Sequence, residues 1–241
     1  MPATPRTEEA IILAGGMGTR LRGAIGDLPK PMAPVAGRPF LAWQLEALAR
    51  RGIMRVVLSV GYRREAIEAH FGDRYQGLAI AYSRETAPLG TGGAIAAAMA
   101  VVDGPAAFVL NGDTFIRAPL RAMEWGGSEL CILVARVDDA SRFGTVLVEG
   151  DRIVGFREKQ AAGPGLVNSG VYWLARQVLE AAAGREKFSF ERDFVEPQVA
   201  RLAIHAVITG EPFIDIGVPE TLAAADTVIP ALAAGDQGPF G

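Results

Sequence analysis

Residues 10–22, with the sequence AIILAGGMGTRLR, decide the fold class of this chain. The apolar run at 10–14 is followed at once by three glycines within four residues and then by two arginines. A short apolar run bounded by glycine is typical of a buried strand. The sequence therefore predicts a buried β-strand that ends in a loop with little side-chain bulk, with positive charge directly after it.

Strand and helix patterns alternate through the rest of the first half. Strands are predicted at 55–60, 78–82 and 106–110, and helices at 39–51, 63–71 and 91–101. Such alternation is typical of a parallel sheet covered by helices. We therefore expect the first half to be built from βα units.

The second half predicts a different arrangement. Its strands are predicted at 129–137, 145–149, 152–157, 167–174, 203–208 and 212–216, with a helix around 189–195. Gly150-Asp151 predicts a hairpin, so part of this half is antiparallel. We expect an α/β fold with a Rossmann-like, mixed but mostly parallel central sheet and helices on both faces.

No linker or change of composition separates the two halves. The sequence therefore predicts a single domain over residues 1–241. Within it we distinguish a parallel half at about 10–125, a mixed half at about 126–228 and a flexible tail at about 229–241, where glycine and alanine surround a lone aspartate.

Charge and cysteine content exclude several classes of protein. The net charge is −3, from 24 basic and 27 acidic residues that are spread along the chain. A non-specific binder of nucleic acid or of acidic membranes would need clustered Lys and Arg, so we expect neither partner. The single cysteine, Cys131, excludes an internal disulfide, and no apolar run approaches the length of a membrane span. We expect a cytoplasmic protein.

Three interpretations compete for residues 15–22. A dinucleotide fingerprint needs a third glycine where Leu21 stands, and a P-loop needs Gly-Lys-Ser/Thr, so both fail on a particular residue. A third interpretation brings bare backbone amides close to a triphosphate, with a hydroxyl from Thr19 and a forked cation from Arg20. The alternative is an ordinary strand-to-helix turn with a solvated arginine, and the loop alone does not decide between these two.

Lys30 stands between two prolines in the segment LPKP, residues 28–31. Pro31 favours an extended backbone at Lys30, and Pro29 fixes the approach to it. The lysine is therefore held on a stiff segment, which a flexible surface lysine rarely needs.

Two segments, LAGGMGTRL at 13–21 and PKPMAPVAGRPFL at 29–41, closely resemble the signature of sugar-1-phosphate nucleotidylyltransferases. Within that family the spelling is most similar to the guanylyltransferases that act on D-glycero-D-manno-heptose 1-phosphate in the synthesis of bacterial surface polysaccharide. The resemblance runs from about residue 10 to residue 225. It implies the nucleotide-diphospho-sugar transferase fold of the GT-A type, Mg²⁺ as cofactor, a nucleoside triphosphate, expected to be GTP, and a sugar 1-phosphate.

The resemblance also implies which residues bind the nucleotide. Those in and beside the first loop are Leu13, Ala14, Gly15, Gly16, Gly18, Thr19 and Arg20. A second small-residue loop, ETAPLGTGGA at 85–94, precedes a predicted helix. By residue type it is either a helix start with Thr91 as cap and glycines for close packing, or an anion and ligand site. The resemblance makes it the pocket for base and ribose, with Glu85, Gly90 and Thr91 as contacts.

Asp113 and Asp215 are the implied Mg²⁺ ligands. In LNGDTF, residues 110–115, an Asp-Gly cluster usually forms a turn, yet this carboxylate follows a parallel strand, where such sheets bind ligands. In FIDIGVPE, residues 213–220, an aspartate between isoleucines would be costly to bury without a cation or donors. Mg²⁺ needs one or two carboxylates plus phosphate oxygens. The resemblance adds Asn111 and Gly112 to the nucleotide site.

Residues implied to bind the sugar phosphate lie mainly in the second half. Glu158 and Lys159 are by residue type a solvated charge pair. The resemblance instead implies that Glu158 accepts hydrogen bonds from the sugar hydroxyls and that Lys159 binds the phosphate of the sugar. It adds Asn168 as a further hydroxyl partner and the backbone of Gly144. Gly170 and Lys30 complete the set implied for this substrate.

The expected reaction needs no general base, because a sugar 1-phosphate is already an anion at pH 7. The residues expected to act in catalysis are Arg20, Lys30, Asp113 and Asp215. The same chemistry on UTP with N-acetylmuramate 1-phosphate, or on GTP with mannose 1-phosphate, stays open, as does a non-catalytic nucleotide-sugar sensor. A homodimer also stays open, since the apolar faces of helices in the second half cannot be separated from core in the sequence.

Overall fold

A computed structural model describes residues 6–124, 129–158 and 162–235 of the chain. Its strands, in chain order, are β1 (Glu9–Leu13), β2 (Pro34–Val35), β3 (Arg38–Pro39), β4 (Arg55–Val60), β5 (Arg74–Tyr75), β6 (Leu78–Arg84), β7 (Ala106–Asn111), β8 (Thr114–Ile116), β9 (Leu130–Val137), β10 (Thr145–Glu149), β11 (Arg152–Arg157), β12 (Gly165–Ala175), β13 (Ile204–Thr209) and β14 (Phe213–Asp215).

Helices cover both faces of the main sheet. The α-helices are α1 (Arg22–Ile25), α2 (Phe40–Arg50), α3 (Arg64–Phe71), α4 (Gly90–Met99), α5 (Leu120–Met123), α6 (Glu196–Gln198) and α7 (Pro219–Ala234). Turns of 3₁₀ helix lie at Thr19–Leu21, Lys30–Met32 and Arg176–Ala182, and a π-helical segment lies at Phe190–Val195.

Within the described residues, the main sheet has ten strands in the order β10-β11-β13-β9-β12-β7-β1-β4-β6-β5. Pairing is parallel around β1, where β4 and β7 are its neighbours, and also between β4 and β6 and between β9 and β13. The other pairings are antiparallel, beginning with β12 against β7. The predicted α/β class with a mixed sheet is confirmed, but its parallel part is smaller than expected because β12 enters next to β7 in the opposite direction.

β1 explains why residues 10–14 are apolar without alternation. Ile11 and Ile12 are both fully buried, and they belong to two different core clusters. Successive side chains of a strand point to opposite faces, so these clusters lie on the two sides of the sheet. A strand covered on both faces is apolar at every position.

A second, small sheet pairs β8 with β14 in antiparallel fashion, and Thr114 lies opposite Asp215. The strand predicted at 212–216 is therefore present but shorter, and its partner β8 was not predicted. Because β8 has only three residues, it gives too short a pattern to be recognised in the sequence. This small sheet brings the end of β7 and the start of α7 together.

The helix α7 includes residues 229–234 of the flexible tail expected at about 229–241, so this part is helical, and residues 236–241 lie outside the described residues. Leu222, Ala225 and Ile229 are buried along one face, at the spacing of an amphipathic helix. The helix continues past Pro230 to Ala234. A proline usually ends or kinks a helix, so Pro230 argues against a helix over residues 229–234 when the sequence is considered alone.

Cys131 is fully buried in β9, and burial raises the pKa of its thiol to about 12. Among the described residues, no helix is long and apolar enough to cross a membrane.

Candidate active site

A cavity of about 580 Å³ opens at the carboxyl edge of the parallel strands. This size is usual for a small-molecule site. Its walls come from the loops that follow β1, β4, β6 and β7, together with the segment at Lys30 and the start of α4. The predicted residues that line it are Leu13, Gly15, Gly16, Lys30, Glu85, Gly90, Thr91, Asn111, Gly112 and Asp113.

The first glycine loop is fixed at its ends and open in its middle. The amide of Ala14 donates to the carbonyl of Ser59 at 2.8 Å, so this residue is buried behind the cavity rather than lining it. A Cβ on Gly15 would overlap the carboxylate of Glu85, whereas nothing lies within 4 Å of a Cβ on Gly16. Gly18 has φ +56°, and a Cβ there would lie 3.0 Å from the Cβ of Lys30. The loop thus exposes backbone toward the cavity.

Thr19 and Arg20 lie in the exposed 3₁₀ turn after the loop and do not line the cavity. Within 6–124, 129–158 and 162–235, no side-chain hydrogen bond or ion pair holds Arg20. Its guanidinium is therefore unpaired among the described residues, in the turn that directly follows the glycine loop.

Lys30 and Asp113 form an ion pair in the cavity wall. The Lys30 Nζ donates to Asp113 Oδ2 at 2.6 Å. Lys30 is 9% exposed, and it lies in a turn where the amide of Met32 donates to the carbonyl of Pro29 at 2.8 Å. The extended backbone expected at Lys30 is wrong, because Lys30 begins the 3₁₀ turn at Lys30–Met32 and the extended residue is Pro29 before it. The lysine is instead held by that turn, and its ammonium faces a carboxylate implied as a metal ligand.

The two implied metal ligands lie at one end of the small sheet: Asp113 directly precedes β8, and Asp215 is the last residue of β14. Asp113 lines the cavity and Asp215 does not. The amide of Ile216 donates to the carbonyl of Asp113 at 2.9 Å, and the Asp215 carboxylate accepts from the amide of Gly217. Gln44 donates from Nε2 to the carbonyls of Asn111 and Thr114, at 2.8 and 2.9 Å, and so fixes the backbone on both sides of Asp113. No group of three or more potential metal ligands occurs among the described residues. Two carboxylates with phosphate oxygens are nevertheless a sufficient donor set for Mg²⁺.

The second glycine loop serves packing as well as the cavity. Cβ atoms on Gly92 and Gly93 would overlap the ring of Phe188 and the carbonyl of Glu186, and one on Gly90 would lie 2.5 Å from the carbonyl oxygen of Phe188. Thr91 does not cap the helix, since α4 begins at Gly90 without a side-chain cap. Close packing, one of the alternatives left open by the sequence, therefore accounts for Gly92 and Gly93.

The residues implied for the sugar phosphate are not all brought to the cavity. A Cβ on Gly170 would overlap the side-chain amide nitrogen of Asn111, which lines the cavity. Asn168 Oδ1 accepts from the amide of Gly170 at 2.9 Å. Gly170 and Asn168 therefore lie beside the cavity wall. Gly144 and Glu158 are exposed and do not line the cavity. Lys159 lies outside the described residues.

Residues 9–229 match the family described as Nucleotidyl transferase. This chain belongs to that family. The membership confirms the resemblance that was based on residues 13–21 and 29–41.

Three relatives of this nucleotidyl transferase extend over nearly all of it. A D-glycero-alpha-D-manno-heptose 1-phosphate guanylyltransferase from Campylobacter jejuni is 44% identical over 213 residues, which are 88% of this chain and 96% of that protein. A protein of the same name from Aneurinibacillus thermoaerophilus is 41% identical over 216 residues, 88% of this chain and 94% of that protein. The crystal structure of HddC from Yersinia pseudotuberculosis complexed with GMP-PN has a TM-score of 0.81 and 34% identity, and the match covers 91% of this chain and 98% of that one.

Several lining residues of this nucleotidyl transferase were not predicted. They are Met17, Pro31, Gly61, Tyr62, Thr86, Ala87, Pro88 and Ala94. Gly61 and Tyr62 directly follow β4, whose carboxyl end lies beside that of β1 in the parallel sheet. The rule that ligands bind at this edge could therefore have identified them. Thr86, Ala87 and Pro88 lie in the second glycine loop, for which the sequence analysis gave only Glu85, Gly90 and Thr91 as contacts.

Proposed function

We propose that this nucleotidyl transferase transfers GMP from GTP to D-glycero-D-manno-heptose 1-phosphate, which gives GDP-heptose and pyrophosphate. The observation that carries the proposal is the similarity, over 88% of the chain, to two proteins named as guanylyltransferases of this heptose phosphate. A cavity of about 580 Å³, lined by a bare glycine loop and by Lys30 and Asp113, supports a substrate that carries phosphates.

In the reaction, an oxygen of the sugar phosphate attacks the α-phosphorus of GTP. A new P–O bond forms, the bond between the α- and β-phosphates breaks, and pyrophosphate leaves with the bonding electrons. No proton has to be removed from the nucleophile, so no general base is needed. What the chain must supply is alignment of two mutually repelling anions and stabilisation of the charge on the phosphoryl group in transfer.

Cations and amides of the first loop supply that stabilisation in our proposal. The open backbone around Gly16 and the free guanidinium of Arg20 hold the β- and γ-phosphates. Lys30, fixed in the cavity wall, stabilises the transferring phosphoryl group. Its ion pair with Asp113 holds the ammonium in place before substrate arrives.

Asp113 and Asp215 are proposed to hold Mg²⁺, because Asp113 lines the cavity and the pairing of β8 with β14 brings the backbone of Asp215 next to it. When bound, the ion supplies Lewis-acid stabilisation and a template for the two phosphates. Asn168, with Gly170, Gly144, Glu158 and Lys159, is proposed to hold the sugar phosphate.

Pyrophosphate release tests the proposal. GTP, UTP, CTP, ATP and dTTP are each combined with the heptose 1-phosphate, mannose 1-phosphate, glucose 1-phosphate and N-acetylmuramate 1-phosphate, with Mg²⁺ and with EDTA. We expect turnover with GTP and the heptose phosphate, and loss of turnover in EDTA. Turnover with another pair would show that the proposed substrates are wrong and that the chemistry is right. Tight binding of a nucleotide sugar without turnover would indicate a sensor.

Three further expectations from the sequence stay predictions. They are a cytoplasmic location, a homodimer, and a role in a bacterial capsule or other surface polysaccharide.

A further inference from the structure

A chain of hydrogen bonds joins the nucleotide loop to Asn168. Thr91 Oγ1 donates to Glu191 Oε2 at 2.9 Å, and the Tyr172 hydroxyl donates to Glu191 Oε1 at 2.8 Å. Asn168 Nδ2 in turn donates to the Tyr172 hydroxyl at 2.9 Å. Ser189 Oγ adds a third donor to Glu191 at 3.2 Å. We call Thr91, Tyr172, Glu191, Asn168 and Ser189 the Glu191 network.

One end of the Glu191 network lines the cavity, and the other end lies behind a residue of the cavity wall. Thr91 lines it directly. At the other end, Asn168 also accepts from the amide of Gly170, which lies against the cavity residue Asn111. The network therefore connects a residue proposed to contact base and ribose with one proposed to contact a sugar hydroxyl.

The π-helical segment is what places Glu191 between these two ends. Phe188 and Phe190 hold the segment on α4: the amide of Gly92 donates to the carbonyl of Phe188 at 2.9 Å, and the amide of Phe190 donates to Thr91 Oγ1 at 2.8 Å. On the other side, the ring of Tyr172 packs edge-on against Phe190, with centroids 5.3 Å apart. Glu191 is thus anchored to both α4 and β12.

The directions of these hydrogen bonds are fixed. Burial, followed by the neighbouring Glu191 carboxylate, raises the pKa of Tyr172 well above its ordinary value, so its hydroxyl keeps its proton. It must donate to the carboxylate and can then only accept from Asn168. In the part of the chain that the structure describes, no lysine or arginine pairs with Glu191, and the side-chain donors to its carboxylate are the hydroxyls of Thr91, Tyr172 and Ser189. The amide orientation of Asn168 is set as a consequence.

We propose that Glu191 is a positioning residue for the transferase reaction, which holds Thr91 for the nucleotide and, through the Tyr172 hydroxyl, holds Asn168 for the sugar phosphate. This inference rests on the proposed function, in which Thr91 contacts the nucleotide and Asn168 contacts the sugar phosphate. Glu191 and Tyr172 do not line the cavity, so they act through Thr91 and Asn168.

Conservative variants separate the two arms of the Glu191 network, which are its hydrogen bond to Thr91 and its connection through Tyr172 to Asn168. Tyr172→Phe keeps the ring and removes only the hydroxyl, so it frees Asn168 and leaves Thr91 held. One hydrogen bond of this kind corresponds to a rise of about 3- to 10-fold in KM for the sugar phosphate. We expect KM for the nucleotide and kcat to stay within about twofold, since those interactions are made elsewhere. Glu191→Gln disturbs both arms, so KM for both substrates should rise.

Tyr82→Phe is the matched control. The Tyr82 hydroxyl also makes a short hydrogen bond, to the carbonyl of Gly72 at 2.6 Å, and it lies outside the cavity. Thermal melting shows that each variant is folded. Calorimetric titration with α,β-methylene-GTP, which cannot be cleaved at the bond under attack, measures nucleotide binding without turnover.

The pattern across the variants decides the inference. A rise in KM for the sugar phosphate alone in Tyr172→Phe, with both KM values raised in Glu191→Gln and neither in Tyr82→Phe, supports it. Equal effects on both substrates in Tyr172→Phe, or unchanged KM values in a folded Glu191→Gln, overturn it. The assays use whichever substrate pair the wild type turns over, so a different pair corrects the proposed function without affecting this test. Absence of turnover with every pair would reject both.

Discussion

The two glycine loops have similar compositions and opposite surroundings. In the first, Gly16 has nothing within 4 Å of a Cβ position and faces the cavity. In the second, Cβ atoms on Gly92 and Gly93 would overlap Phe188 and Glu186. Gly16 leaves the backbone of the first loop open to a ligand, whereas Gly92 and Gly93 let a distant segment of the chain approach the second loop. Loop composition alone does not distinguish these uses.

The largest expected effect concerns the cation beside the first loop. Lys30→Met keeps the aliphatic stem against Gly18 and removes the charge, so we expect kcat to fall about 100- to 1,000-fold, the usual cost of one preorganised donor. Lys187→Met is the matched control, because this exposed lysine belongs to the segment that packs on the second loop. Steady-state pyrophosphate release measures both. If Lys187→Met lost as much activity as Lys30→Met, the distinction between the loops would fail.

The second loop should respond in stability. Gly93→Ala places a Cβ against the backbone carbonyl of Glu186, which a side-chain movement cannot relieve. We expect the free energy of unfolding to fall by about 1–3 kcal/mol, as for other overpacked sites. Urea denaturation measures this.

Gly23→Ala in α1 is the control for that change, since nothing lies within 4 Å of its Cβ position. It should be neutral or stabilising by up to about 1 kcal/mol through helix propensity. A Gly93→Ala protein as stable as Gly23→Ala would contradict the packing role of the second loop.

The smallest effect on stability is expected at Gly16. Gly16→Ala adds a methyl group to open space on the cavity side, so the free energy of unfolding should change by less than about 0.5 kcal/mol. KM for the nucleotide should nevertheless rise, because the methyl group occupies the approach of the phosphates to the backbone. Urea denaturation and initial rates on one preparation would show both, and an unchanged KM would argue against this loop as the phosphate site.

Much of the fold was predictable because its signals are local. Residues 10–14 predict a strand buried on both faces, and β10 and β11 lie where the hairpin at Gly150-Asp151 places them. The missed elements had short or interrupted patterns: β8 has three residues, and α7 contains Pro230. Their stability comes from contacts with segments distant in sequence, which no local pattern contains.

The sequence by itself determined the family, the fold class and the pairing of a bare glycine loop with a rigid lysine, because each depends on residue types at fixed short spacings. Only the tertiary structure decided that Gly16 faces the cavity and Gly92 faces Phe188, that the pairing of β8 with β14 brings Asp113 and Asp215 together, and that Glu191 joins Thr91 to Tyr172. Most of these relations connect distant residues, and Thr91 and Glu191 are 100 positions apart. Their geometry is fixed by how the strands and the π-helical segment pack, and not by spacing along the chain.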